Sequence, residues 1–266
     1  MNLLATIWRH RELLWNLVGR DLKSRYKGSV LGFFWTILTP LFMAVIYIFF
    51  LRLLGGRGIA MEDIIIGVFA WQYTIQCVNA GVHCFTGNTN LVKKVFFPRE
   101  ILPLSITASS LVNFLLTLAV QFVLVGLLLW HRGAIFSGWF WVLPAVMLYQ
   151  TVFNFELILV VSTANVYYRD TSYLVNLLVS AWFFMSPVMY PLSFVDNLAH
   201  TLPWLRDVYQ LNPMTMIITA YRATQMPGEG FAWSTAAVIG WLWPLLAGLL
   251  IWPWFQRSQR YFADVL

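Results

Sequence analysis

Apolar residues in this chain come in long runs separated by short polar or basic breaks. No stretch shows sustained period-two alternation. A bilayer-crossing helix needs roughly 20 apolar residues. Six runs meet or approach that length: 30–51, 64–85, 101–130, 139–168, 173–190 and 234–255. The third and fourth are long enough to tilt or project from the bilayer, and the fifth is the shortest. The pattern predicts an all-α integral membrane protein of six transmembrane helices. A segment 1–29 precedes the six-helix domain (30–256), and a tail 257–266 follows it.

Three segments outside the runs carry patterns of their own. Between Glu12 and Lys27, Leu13, Leu14, Leu17, Val18 and Leu22 share one helical face, and Glu12, Asn16, Arg20, Lys23 and Lys27 share the other. This predicts an amphipathic helix lying along the membrane surface. A simple basic anchor is the plainer reading of the same pattern. The stretch Asn88 to Glu100, NTNLVKKVFFPRE, is short, cationic and apolar at once. Lys93 and Lys94 want water while Val95, Phe96 and Phe97 want burial, and Pro98 suits a helix boundary. It reads as a positively charged loop or as a short helix that docks into a partner. Pro191 to Trp233 is too apolar for a free loop, and Pro203 and Asn212-Pro213 divide it into pieces too short to span. Two short re-entrant or interfacial helices fit best.

Composition agrees with the membrane reading. Hydrophobic residues make up 60% of the 266 and charged residues 11%, against about 25% charged in soluble domains. The 14 Trp crowd the ends of the apolar runs, as expected at headgroup level. Arg9, Arg11, Arg20, Lys23, Arg25, Lys27, Lys93, Lys94, Arg99, Arg169, Arg257 and Arg260 fall on one side of the six runs. Arg52, Arg57, Arg132, Arg206 and Arg222 fall on the other. The richer side is cytoplasmic, which places both termini there. The basic residues flank spans and form no compact module, so nucleic-acid binding is not implied. Behind Arg9, His10 and Arg11 no small-residue cleavage site follows, so no cleavable signal peptide is expected.

Catalytic chemistry is sparse. Cys77 and Cys84 would sit about 10.5 Å apart along one helix, too far for a disulfide. His10, His83, His131 and His200 are scattered, and no metal-ligand cluster is expected. No G-x-x-x-x-G-K-[ST] motif occurs; Gly55-Gly56-Arg57-Gly58 is a turn that lacks the Lys. An ATP-driven function would therefore need a partner chain. Glu156 is the single formal charge inside a predicted span, and an intramembrane acid is a candidate functional group. Pairing at an interface, lining a pore and carrying a proton are its possible roles.

Two side-chain stripes are candidates for a channel lining. Trp35, Phe42 and Phe49 recur every seven residues on the first span. Tyr173, Asn176, Ser180, Phe184 and Pro187 recur at helical spacing on the fifth. Aromatic faces pack on sugar rings, and Asn, Ser and Tyr bond sugar hydroxyls. Many weak sites would hold a polymer and still let it slide. Stripes of this kind also arise where a helix faces lipid or a neighbouring helix.

Several stretches together resemble the ABC-2 type permeases, in particular the membrane subunits that export O-antigen, capsule and teichoic-acid chains. They are RDLKSRYKGSVLGFFWTILTPL (Arg20–Leu41), LVKKVFFPREILPLS (Leu91–Ser105), NVYYRDTSYLVNLLVSAWFFMSPVMYPLS (Asn165–Ser193) and LNPM (Leu211–Met214). The resemblance implies a homodimer of six-helix subunits in the bacterial inner membrane, working with two separate P-loop ATPase subunits. ATP and Mg would sit on those partners and no cofactor on this chain. The ATPase contacts would come from Glu12–Lys27 and Asn88–Arg99, with Arg20, Lys23, Arg25, Leu91, Lys93, Lys94, Phe96, Phe97, Pro98 and Arg99 as candidates. The first and fifth helices of both subunits would line the channel for a lipid-linked polysaccharide.

A drug or small-lipid exporter of the same superfamily would share these features. An ion-coupled secondary transporter would need more than one titrating group near the midplane or a repeat with broken helices, and a membrane glycosyltransferase would need a carboxylate cluster. The sequence offers neither.

Overall fold

Two glycines decide where the first long helix begins. Gly28 and Gly32 adopt φ of 78° and 48°, a left-handed conformation that carries little steric cost only without a Cβ. The backbone breaks between them, Ser29 Oγ accepts from the Gly32 amide, and Val30 is left exposed outside the helix. The computed structural model describes residues 3–32, 34–53, 59–199, 202 and 204–266. Among these there is no strand. In chain order the helices are α1 Leu3–Arg9, α2 Arg11–Tyr26, α3 Phe34–Leu53, α4 Met61–Val82, α5 Thr89–Lys94, α6 Ile101–His131 and α7 Leu143–Tyr167. They continue with α8 Thr171–Phe184, α9 Leu192–Ala199, α10 Trp204–Leu211, α11 Pro213–Gln225, α12 Thr235–Ser258 and α13 Phe262–Val265. The expected Gly55–Gly58 turn, and His200, lie outside the described residues.

Four stretches are long and apolar enough to cross a membrane: Phe34–Leu53, Ile101–His131, Phe140–Tyr167 and Thr235–Val265. The other two expected spans differ from these in instructive ways. α4 has 22 residues but carries Glu62, Asp63, Gln72, Gln76 and Asn79. α8 has 14 residues, roughly 21 Å of rise against the ~30 Å of hydrocarbon.

α4 sits at the centre, packed against α3, α6, α7, α8 and α11. Its neighbours are stitched to it by buried polar groups. Gln150 of α7 donates to the Ala70 carbonyl (2.8 Å) and to Thr74 Oγ1 (3.0 Å), while its own carbonyl accepts from Tyr221 (2.8 Å). Tyr73 stacks on Phe114 of α6 at 4.5 Å between centroids. In a solvent without water a polar group needs a protein partner, and these bonds supply it.

The amphipathic segment forms α2, and its apolar face closes on α6. Leu17 and Val18 are buried and Leu13, Leu14 and Leu22 half-buried, while Glu12, Asn16, Arg20, Lys23 and Lys27 stay exposed. Protein therefore covers the central part of the face that the sequence assigns to the membrane.

The segment 191–233 folds as three helices, α9 to α11, where the sequence suggested two. Asn212 makes the division: its side chain accepts from the Met214 amide and so caps α11, with Pro213 at its first position. α11 is almost wholly buried against α4, α7 and α12, so it belongs to the core and not to the surface.

Candidate channel face and docking surface

The two stripes lie on exposed helix faces that flank α4. On α3, Trp35, Phe42 and Phe49 are exposed, Phe49 at 68%. On α8, Tyr173 (77% exposed), Asn176, Ser180 and Phe184 are exposed as well. Pro187 departs from the expectation. α8 ends at Phe184, so Pro187 does not continue its face, and it is buried. The cause is local: Asn212 donates to the Met185 carbonyl (3.0 Å) and to Ser186 Oγ (2.9 Å), and its Oδ1 accepts from Trp182 Nε1 (2.9 Å). These bonds fold the chain inward after α8.

Between α3, α4 and α8 lies a largely apolar cavity of about 470 Å³. Ser180 and Phe184 line it from α8. From α3 the lining residues are Met43, Ile46, Tyr47 and Phe50. Met43 and Phe50 directly follow Phe42 and Phe49 in the chain, and neither Phe42 nor Phe49 lines the cavity. From α4 come Trp71 and Gln72, neither singled out in the sequence reading. Trp71 meets Trp182 and Phe183 edge-on at 5.6 Å, so the cavity wall is a braced aromatic cluster. Ser180 Oγ donates to the Asn176 carbonyl at 2.8 Å, as hydroxyls on helices often do.

The cationic elements meet at the end of the molecule that carries α5. Arg20 donates to Asn88 Oδ1 at 2.7 Å and lies 3.5 Å from Asp21. Arg25 donates to Ser110 of α6 at 3.1 Å. α2 is thus tied both to the residue that precedes α5 and to α6. Burial pushes the Asp21 carboxyl above its ordinary value, against the pull of Arg20 and Arg25. α5 covers Leu91 and Val92 and shows Lys93 and Lys94 to solvent. Past its end Phe97 turns inward, with the Arg99 guanidinium 5.1 Å from its ring. Phe96 points outward, fully exposed. Pro98 and Arg99 are half-buried, and partial burial lowers the Arg99 pKa. Arg9 and Arg260, distant in sequence, join Phe96 and Arg99 around a groove of about 690 Å³. A free phenylalanine ringed by cations suits insertion into a protein partner.

Charges at the two ends differ in more than number. Of the twelve basic residues at the α5 end, only Arg20 has a carboxylate within 4 Å among the described residues. At the opposite end Arg132 pairs with Glu62, Arg206 with Asp196 and Arg222 with Asp63. Among the described residues, unpaired positive charge is therefore more unequal than the count.

Glu156 does not reach the α3–α8 face. It is half-buried on α7 and points at α12, where Gly248 leaves room for its carboxyl. Cys77 and Cys84 are free and buried. No group of three or more His, Cys, Asp or Glu placed to hold a metal occurs among the described residues.

Residues 12–226 match the family model described as ABC-2 type transporter. The O-antigen export system permease protein RfbA of Myxococcus xanthus is 33% identical over 230 residues, covering 84% of each chain. Two proteins of the same name from Klebsiella pneumoniae are 30% and 28% identical over 258 residues, each alignment covering 96% of this chain and 95% of the relative.

Proposed function

The chain belongs to the ABC-2 type transporter family, and on that footing we propose that it forms the channel of an exporter for a lipid-linked polysaccharide. It is the transmembrane subunit of its transporter, a multi-pass membrane protein that associates with an ABC ATPase partner. In the proposed assembly two copies pair, two ATPase subunits carry ATP and Mg, and the polymer is of O-antigen, capsule or teichoic-acid type. α4 and α8 complete six spans in the bacterial inner membrane, with both termini and α5 in the cytoplasm. The asymmetry of unpaired positive charge supports that orientation.

The observation that carries the reading is likeness along nearly the whole chain to proteins named for O-antigen export. The geometry supplies a mechanism. ATP binding draws the ATPase pair together and moves the surface made by α2, α5 and Phe96. α2 and α5 move together through Arg20–Asn88, and α2 reaches the long α6 through Arg25–Ser110. Exposed aromatics of α3 and α8 offer weak, repeated contacts to a sliding glycan.

The test is purification of the tagged permease from its native membrane. An ABC ATPase should co-purify, and disruption of the permease should strip polysaccharide from the cell surface while lipid-linked polymer accumulates inside. Purification without an ATPase, or surface polymer that persists, would overturn the reading.

A further inference from the structure

α4 is buried on all sides but one. From Glu62 to His83, only positions 72, 75, 76, 79, 80 and 83 keep access to the surface. Four of these six are polar: Gln72, Gln76, Asn79 and His83. At 100° per residue they fall within an arc of about 60° and extend over roughly 16 Å of helix. None of the four side chains has a hydrogen-bond or ion-pair partner among the described residues. This contrasts with the buried side of the same helix, where Tyr73 and Thr74 are bonded to α7.

α3 and α8 flank this open strip. Gln72 shares a cavity with Ser180 and Phe184 of α8. Eleven residues on, His83 shares a second, polar cavity of about 300 Å³ with Ser172 and Arg169, at the start of the same helix. α4 and α8 thus run antiparallel, with the polar strip of one meeting the other near Ser180 at one end and near Ser172 at the other. Lipid against this strip would leave three carboxamides and an imidazole without partners in hydrocarbon, which membrane helices avoid.

We propose that Gln72, Gln76, Asn79 and His83 form the hydrogen-bonding track of the channel, a third wall beside α3 and α8 that reads the hydroxyls of the passing glycan. The aromatics hold sugar faces, and the carboxamides, with donors and acceptors on one group, exchange bonds with hydroxyls as the chain advances. This inference rests on the channel reading of the α3–α8 face.

The experiment places a photo-crosslinking amino acid singly at 76, 79, 173 and 184, and at 127 on the exposed side of α6 as a control. The permease is expressed with its ATPase in cells whose O-antigen-type polysaccharide is labelled with radioactive sugar. Labelled glycan should attach at 76 and 79 and not at 127. Glycan at 173 and 184 with only lipid or a second permease at 76 and 79 would overturn the track and leave the channel face standing. Absence of glycan at all four positions would overturn both. In parallel, Gln76→Leu with Asn79→Leu should cut surface polysaccharide at least fivefold at unchanged membrane level and unchanged co-purification of the ATPase. Undiminished export would equally overturn the track.

Discussion

Arg222 of α11 lies 3.4 Å from the Asp63 carboxylate of α4, with both side chains buried. Its guanidinium also donates to the backbone carbonyls of Asp63, Val188 and Tyr190. One side chain therefore joins the start of α4, the turn after α8 and α11.

Removing that cation should be costly. Arg222→Met leaves a buried carboxylate and three carbonyls without their donor, and breaking a buried pair costs roughly 3–5 kcal/mol. Thermal melting in detergent should show a large drop in Tm, and Asp63→Asn in the same chain should recover part of it. Arg222→Lys should rescue poorly, because one ammonium cannot reproduce the planar fork.

Gly67, Gly240 and Gly248 test how far a close approach can yield. A Cβ at Gly67 would collide with the Val188 carbonyl, and one at Gly240 with the Gln210 carbonyl. Both obstacles are backbone, so Gly67→Ala and Gly240→Ala should each destabilise by about 1–3 kcal/mol. A Cβ at Gly248 meets only the end of the Glu156 side chain, which can swing aside. Gly248→Ala should cost less, and nothing in a Glu156→Ala background; melting temperatures of the single and double variants decide this.

Phe96 makes the sharpest separation between folding and docking. Exposed as it is, Phe96→Ala should leave melting unchanged, while truncation of a central aromatic anchor weakens association by about 2 kcal/mol or more. The expected result is at least a tenfold loss of ATPase affinity by titration into permease-containing nanodiscs. Lys93→Glu with Lys94→Glu should weaken binding too, with a reversed salt dependence.

Asp21 gives a pH signature. Burial raises its pKa in the folded chain, so folding favours the protonated form. Its contribution is fully present below the unfolded value of about 3.9 and is lost as pH rises through the higher folded value. Stability should fall slightly over that interval, and Asp21→Asn should flatten the curve in a melting series across acidic pH.

The sequence alone determined the class of protein. Long apolar runs, Trp at their ends and a lopsided distribution of Arg and Lys are local properties of the chain, so they were legible before any packing was known. The same is true of α2, whose two faces follow from period 3.6, and of α6, which starts and stops almost where its run does. Gly28 and Gly32 could have corrected the start of α3, since both signal a turn.

Tertiary structure decided what covers each face. Apolar patterning says that Leu17 and Val18 must leave water, and α6 as much as lipid satisfies that demand. Whether α11 lies at the surface or in the core depended on Arg222 finding Asp63, a partner 159 residues away. Likewise Gln72, Gln76, Asn79 and His83 stand at visible helical spacing, but spacing cannot say that every other side of α4 is closed by protein. That follows only once five helices have packed around it and left the polar strip as the face still open.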